Sequence, residues 1–213
     1  MGALFLSRVT ARRLGIDPEK VWNLVLLGIL TAVIAPRILL IFLNWPDFEV
    51  HALWMLGVVS VRSRAAVLGG AGIAIAACLL YARSVRLPFR GTLDALALPL
   101  ALAATASSVA AFSLPHADAM KAAPRLMVNA ALLAAVFGLF SARVRGSRAL
   151  RGGEVMGTWL FVTGLSDHLL DALWAWNPAR SFDLETLVIA ALMVVAGGSL
   201  WFFSPRNAAA HLP

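Results

Sequence analysis

The sequence is poor in the groups on which soluble proteins depend. It carries one cysteine, one tyrosine, and charged side chains at only 14% of its 213 positions. The lone Cys78 excludes a disulfide framework and any Cys-based structural zinc site. So little charge beside 61% hydrophobic residues excludes a disordered chain and a coiled coil, and it argues against a soluble enzyme. Catalytic signatures are missing too: there is no GxSxG elbow, no HExxH, no P-loop and no dinucleotide fingerprint. No low-complexity linker, internal repeat or soluble domain is evident.

What remains is a set of long apolar runs, and about 20 such residues cross a bilayer. The hydropathy pattern predicts an all-α, polytopic transmembrane helix bundle in one integral-membrane domain over 1–213. Six spans are expected: Val21–Phe42 (interrupted by Pro36-Arg37), Ala65–Ala82, Leu93–Leu114, Leu126–Ala142, Val155–Trp176 and Leu184–Phe203. The fifth is accepted despite Asp167, His168 and Asp171, because its apolar flanks are long. His51–Val61 is apolar but short, so it reads as an interfacial or re-entrant piece. Residues 1–20 form an N-terminal stub and loop, 21–203 the bundle, and 204–213 a tail. Only Ala3–Leu6 are apolar before Ser7-Arg8, too few for a signal peptide or a span. The start either lies flat at the interface or is the stub of a longer helix.

The net charge of +7 would suggest nucleic acid in a soluble protein, but here the basic residues sit in short loops between apolar runs, and no nucleic-acid partner is expected. Twelve of the 18 fall in one set of loops: Arg8, Arg12, Arg13 and Lys20, then Arg83, Arg86 and Arg90, then Arg143, Arg145, Arg148 and Arg151, and finally Arg206. The opposite set holds Arg62, Arg64, Lys121, Arg125 and Arg180. The positive-inside rule places the first set, and with six crossings the C-terminus, in the cytoplasm. Trp45, Trp174 and Trp176 then fall at outer ends and Trp22 and Trp201 at inner ends, as an aromatic belt requires.

Charges inside the apolar runs are candidate functional groups, since each is costly in hydrocarbon. Arg37 lies roughly 24 Å into the first span, and Asp167 and Asp171 roughly 18 and 24 Å into the fifth, at 1.5 Å per residue. Both spans run the same way, so the three charges share a depth, and the two aspartates, four apart, share a helix face. A buried Arg37–Asp167/Asp171 cluster is expected, either as a structural ion pair or as a lipid head-group or proton-handling site. The Asp167-His168-x-x-Asp171 spacing also invites a metal, but no other span supplies a histidine, so no metal and no cofactor is expected. Gly69-Gly70-Ala71-Gly72 and Ala103–Ala111 are small-residue stretches that let helices approach closely, and a lipid head group could reach the backbone at Gly69 and Gly70.

Several segments, in order along nearly the whole chain, resemble the prolipoprotein diacylglyceryl transferase family of bacterial inner-membrane enzymes. These are Ala11–Glu19, Ala35-Pro36-Arg37 with Asn44-Trp45-Pro46, Leu68-Gly69-Gly70, Leu80–Arg83 with Leu87-Pro88-Phe89, Asp94, and the Gly164–Asp171 stretch. The resemblance implies a multi-pass inner-membrane protein of lipoprotein biosynthesis that handles a phospholipid such as phosphatidylglycerol. The departures fall on the reactive groups. The family's His-Gly-Gly becomes Leu68-Gly69-Gly70, and its Arg-x-Gly-Asn-Phe-x-Asn-Gly-Glu falls on Ser108–His116, where only Phe112 is kept. Its His-Pro-Thr-Gln-x-Tyr-Glu falls on Ala123–Asn129, which keeps only Pro124, and the late helix's Arg and Glu become Asp167 and Asp171. The family's first helix is missing. Holding a glycerophosphate leaving group wants a cation and deprotonating a thiol wants a base, and Ser108 and Leu68 supply neither. The expectation is a pseudoenzyme without catalytic residues, a lipid-binding or accessory subunit of a membrane complex. The alternative is an active transferase that moves diacylglyceryl from phosphatidylglycerol to a prolipoprotein cysteine.

Overall fold

The computed structural model describes residues 2–45, 64–113, 119–146, 152–175 and 184–203. Their regular structure is helical throughout, in seven helices: α1 (Gly2–Arg13), α2 (Pro18–Leu43), α3 (Arg64–Ser84), α4 (Phe89–Phe112), α5 (Ala119–Val144), α6 (Glu154–Ala175) and α7 (Leu184–Phe202). Four are long and apolar enough to cross a membrane: α2, α3 from Ala65, α4, and α5 from Ala123. The last two expected spans are also helices, of 22 and 19 residues. The expected interfacial piece at 51–61, His116 and the tail at 204–213 lie outside the described residues.

Bulky apolar side chains stand open along these helices: Val33 is 69% exposed, Phe42 72%, Leu80 68%, Met127 72% and Val195 68%. In water such surface would drive association; in lipid it is the face that helices present to acyl chains. This is a helical membrane protein.

The chain packs as two compact units, Asp17–Pro88 and Met1–Ile16 with Phe89–Pro213. The first is the antiparallel pair α2–α3. Its start is written in the sequence: Asp17 caps α2 by accepting from the Glu19 and Lys20 amides at 3.0 and 3.4 Å, with Pro18 in the first turn. α2 runs unbroken through Pro36, where an interruption was expected. A proline inside a helix is tolerated where a neighbour fits the ring, and here a Cβ on Gly70 would lie 2.6 Å from the Pro36 nitrogen. Further along, a Cβ on Gly28 would come 3.1 Å from Cys78 Sγ, which is 3.8 Å from the Leu24 carbonyl.

In the other unit, α4, α5 and α6 share a core of Ala97, Leu98 and Ala101 with Leu132, Val136 and Phe140 and with Val155 and Met156. The spacing of Leu132, Val136 and Phe140 is one helix stripe. α1 lies along α4, fixed by Thr10, whose hydroxyl is within 2.7 Å of the Ala95 carbonyl. α6 and α7 pack antiparallel through small residues seven apart. A Cβ on Gly197 would lie 2.6 Å from the Gly157 carbonyl, and one on Gly164 would lie 2.6 Å from the Ala190 carbonyl.

A recurrence invisible as a whole-segment repeat appears at the helix ends. Ala11–Gly15, Ala82–Arg86 and Ala142–Gly146 each read Ala-Arg-x-x, followed by a residue with positive φ: Gly15 at 70°, Arg86 at 54° and Gly146 at 77°. The amide of each of these bonds the arginine carbonyl three back, at 3.2, 3.2 and 3.0 Å. In the first two, the next amide (Ile16 or Leu87) closes onto the alanine carbonyl at 3.0 or 2.9 Å. This is the left-handed stop that satisfies orphan carbonyls, with a cation in the last turn beside the negative helix end.

Candidate functional site

The most polar buried point described lies where α4, α5 and α6 meet at the basic end of the larger unit. It is built around Asp94, one turn into α4 and wholly buried. α6 begins at Glu154, and the residue before it, Gly153, has a φ of 92° and no side chain with which to cap the helix. Asp94 does this from another helix. Its Oδ2 accepts from the Gly153 amide at 2.8 Å, and its Oδ1 from the Val155 and Met156 amides at 3.1 and 3.2 Å. Three of the orphan N–H groups that every helix start leaves are thereby satisfied by one carboxylate, in the field of the helix's positive end. Arg143, in the last turn of α5, places Nε 3.2 Å from Oδ2, with 22% of its side chain exposed.

Arg90, one turn before Asp94 on α4, works on the same corner. Its aliphatic stem covers Gly152 and Gly153, so a Cβ on either would meet Arg90 carbons at 3.4 to 3.9 Å. Its Nη2 donates at 2.7 Å to the Phe203 carbonyl just beyond the end of α7. One arginine thus lies over the start of α6 and terminates α7. Charge-assisted hydrogen bonds at this corner join α4 to α6 and α7, the Arg143–Asp94 ion pair adds α5, and both oxygens of the carboxylate are engaged.

A second, neutral polar contact joins α4 to α5. The Ser108 hydroxyl lies 3.0 Å from the Ala104 carbonyl and accepts from Asn129 Nδ2 at 2.7 Å, while Thr105 Oγ1 is 3.1 Å from the Asn129 carbonyl. Leu68, on α3, is 43% exposed.

The residues singled out in the sequence fall as follows. Gly69 and Gly70 face α2: a Cβ on Gly69 would lie 2.7 Å from Leu39 Cδ1, and the space above Gly70 is filled by Pro36. Arg37 follows Pro36 in the last third of α2 and is partly exposed. Asp167, His168 and Asp171 lie in the C-terminal half of α6, and their side chains, with the expected pairing to Arg37, lie outside the described residues. Among the described residues no group of three metal-ligating side chains occurs.

In the sequence, Asp94 stands out only as one matching piece of the resemblance. An available signal was an acid one turn into an apolar run, followed two spans later by Gly152-Gly153-Glu154, a helix start that lacks a capping side chain. No family model, no curated protein and no solved structure matches the chain.

Proposed function

We propose that this protein is a non-catalytic, lipid-binding or accessory subunit of a membrane assembly. Its scaffold resembles that of the prolipoprotein diacylglyceryl transferases, it crosses the bacterial inner membrane six times, and its basic end faces the cytoplasm. The observation that carries the reading is the Ser108–Asn129 pair. In the correspondence drawn from the sequence, these positions would hold an arginine and a glutamate of the enzyme family. Here two short neutral side chains hydrogen-bond at 2.7 Å instead. Such a pair ties α4 to α5 but brings no cation to a phosphate and no base to a thiol. Leu68, standing in the place of a histidine, is equally inert. The one fully buried carboxylate described, Asp94, is taken up by the three backbone amides at the start of α6.

Expression in a bacterial strain depleted of its own diacylglyceryl transferase tests this reading. The protein should accumulate in the membrane and leave prolipoproteins unmodified, while affinity purification recovers a membrane partner at fixed stoichiometry. Restored lipoprotein modification would establish the active transferase instead.

A further inference from the structure

A cavity of about 370 Å3 opens between α1, α4 and α5, next to the Asp94 corner but separate from it. Its walls are apolar: Leu6 and Val9 of α1, Leu98 of α4, and Phe137 and Phe140 of α5. Arg13 and Arg145, both exposed and each at the C-terminal end of its helix, also line it. Neither has a carboxylate partner among the described residues. Arg145 Nε donates to the Ser141 carbonyl at 3.2 Å, one turn back along α5. Thr10 also lines the space, but its hydroxyl is turned to backbone carbonyls within 2.7 to 3.0 Å, which leaves an apolar wall.

The geometry points to a binding site for one acyl chain of an anionic phospholipid, whose phosphate is held between Arg13 and Arg145. This rests on the lipid-binding reading above and names the lipid class and the place. Two features fit that occupant. The volume lies at the low end of small-molecule pockets, about 300–1,000 Å3, which suits one chain rather than a whole two-chain lipid. Cations with no carboxylate partner among the described residues, beside an apolar slot, complement an anionic head on an apolar tail, and a guanidinium fork matches a phosphate bidentately.

Native mass spectrometry of the full chain released from detergent micelles tests the site, with dioleoyl phosphatidylglycerol and dioleoyl phosphatidylcholine offered in equal amounts. One phosphatidylglycerol should be retained per protein at least tenfold over phosphatidylcholine, and glycerol 3-phosphate should not displace it. Arg13→Gln with Arg145→Gln should abolish the preference. Arg83→Gln with Arg86→Gln, which removes the same charge at the end of α3, should leave it intact. Val9→Trp, which fills the slot, should remove the retained lipid whatever its head group. If both arginine pairs act alike, or if Val9→Trp still retains the lipid, the slot assignment fails while lipid binding stands. If the unaltered protein retains no lipid at all, the lipid-binding reading itself fails.

Discussion

The α2–α3 pair and the Asp94 corner hold helices together by opposite means. Between α2 and α3 the contact is close backbone approach, glycine against proline and glycine against cysteine, with a long polar contact from Cys78 to the Leu24 carbonyl. At the corner, the α4 and α6 backbones are bridged by a carboxylate, with two arginines around it. In lipid there is no hydrophobic force between helices, so either device can serve, but they fail differently. Close packing tolerates loss of atoms and resists added ones. A buried charge network tolerates neither, because removing one partner strands the others.

The largest effect should come from breaking the corner. Asp94→Ala leaves three amide donors without their acceptor and the Arg143 guanidinium without this counter-charge, and should cost about 3–5 kcal/mol in SDS-induced unfolding from mild micelles. Asp94→Asn, which keeps an acceptor oxygen, should lose less. Next comes the pair interface. Gly70→Val drives a side chain into the Pro36 backbone and should cost about 1–3 kcal/mol. It should also speed maleimide labelling of Cys78, whereas Asp94→Ala should leave early labelling unchanged until the unit unfolds; equal labelling of Gly70→Val and the unaltered protein would remove the packing account. Thr10→Val, which deletes the hydroxyl contact to Ala95, should cost about 1 kcal/mol in the same titration. The smallest effect has the opposite sign. Arg86 holds a positive φ that an L-residue adopts at roughly 1–2 kcal/mol, so Arg86→Gly should stabilise the α3 end by up to about 1 kcal/mol after glycine's entropic penalty.

The same contrast explains what could be read from the sequence. Local features are legible: the apolar runs of α2 to α5, and Gly69-Gly70 as a place of close approach; the Asp17-Pro18 cap starts α2 three residues before the expected Val21. The corner was not, because Asp94 pairs with backbone amides some 60 residues away, and amides have no letter in a sequence. The seven-residue register of Gly157 and Gly164 with Ala190 and Gly197 was likewise hidden, since it needs two helices aligned antiparallel before either spacing means anything. Pro36 misled for a related reason. A proline reads as a break until the glycine that accommodates its ring is known. The recurrent Ala-Arg-x-x stop was masked because its left-handed residue is arginine in one of three copies.

Amide hydrogen exchange at the start of α6, compared between the unaltered protein and Asp94→Ala in the same micelles, tests the corner most directly. The Gly153, Val155 and Met156 amides should exchange slowly in the first and much faster in the second, with protection along α2 and α3 unchanged. Equal protection of those three amides in both proteins would contradict the assignment of Asp94 as the cap of α6.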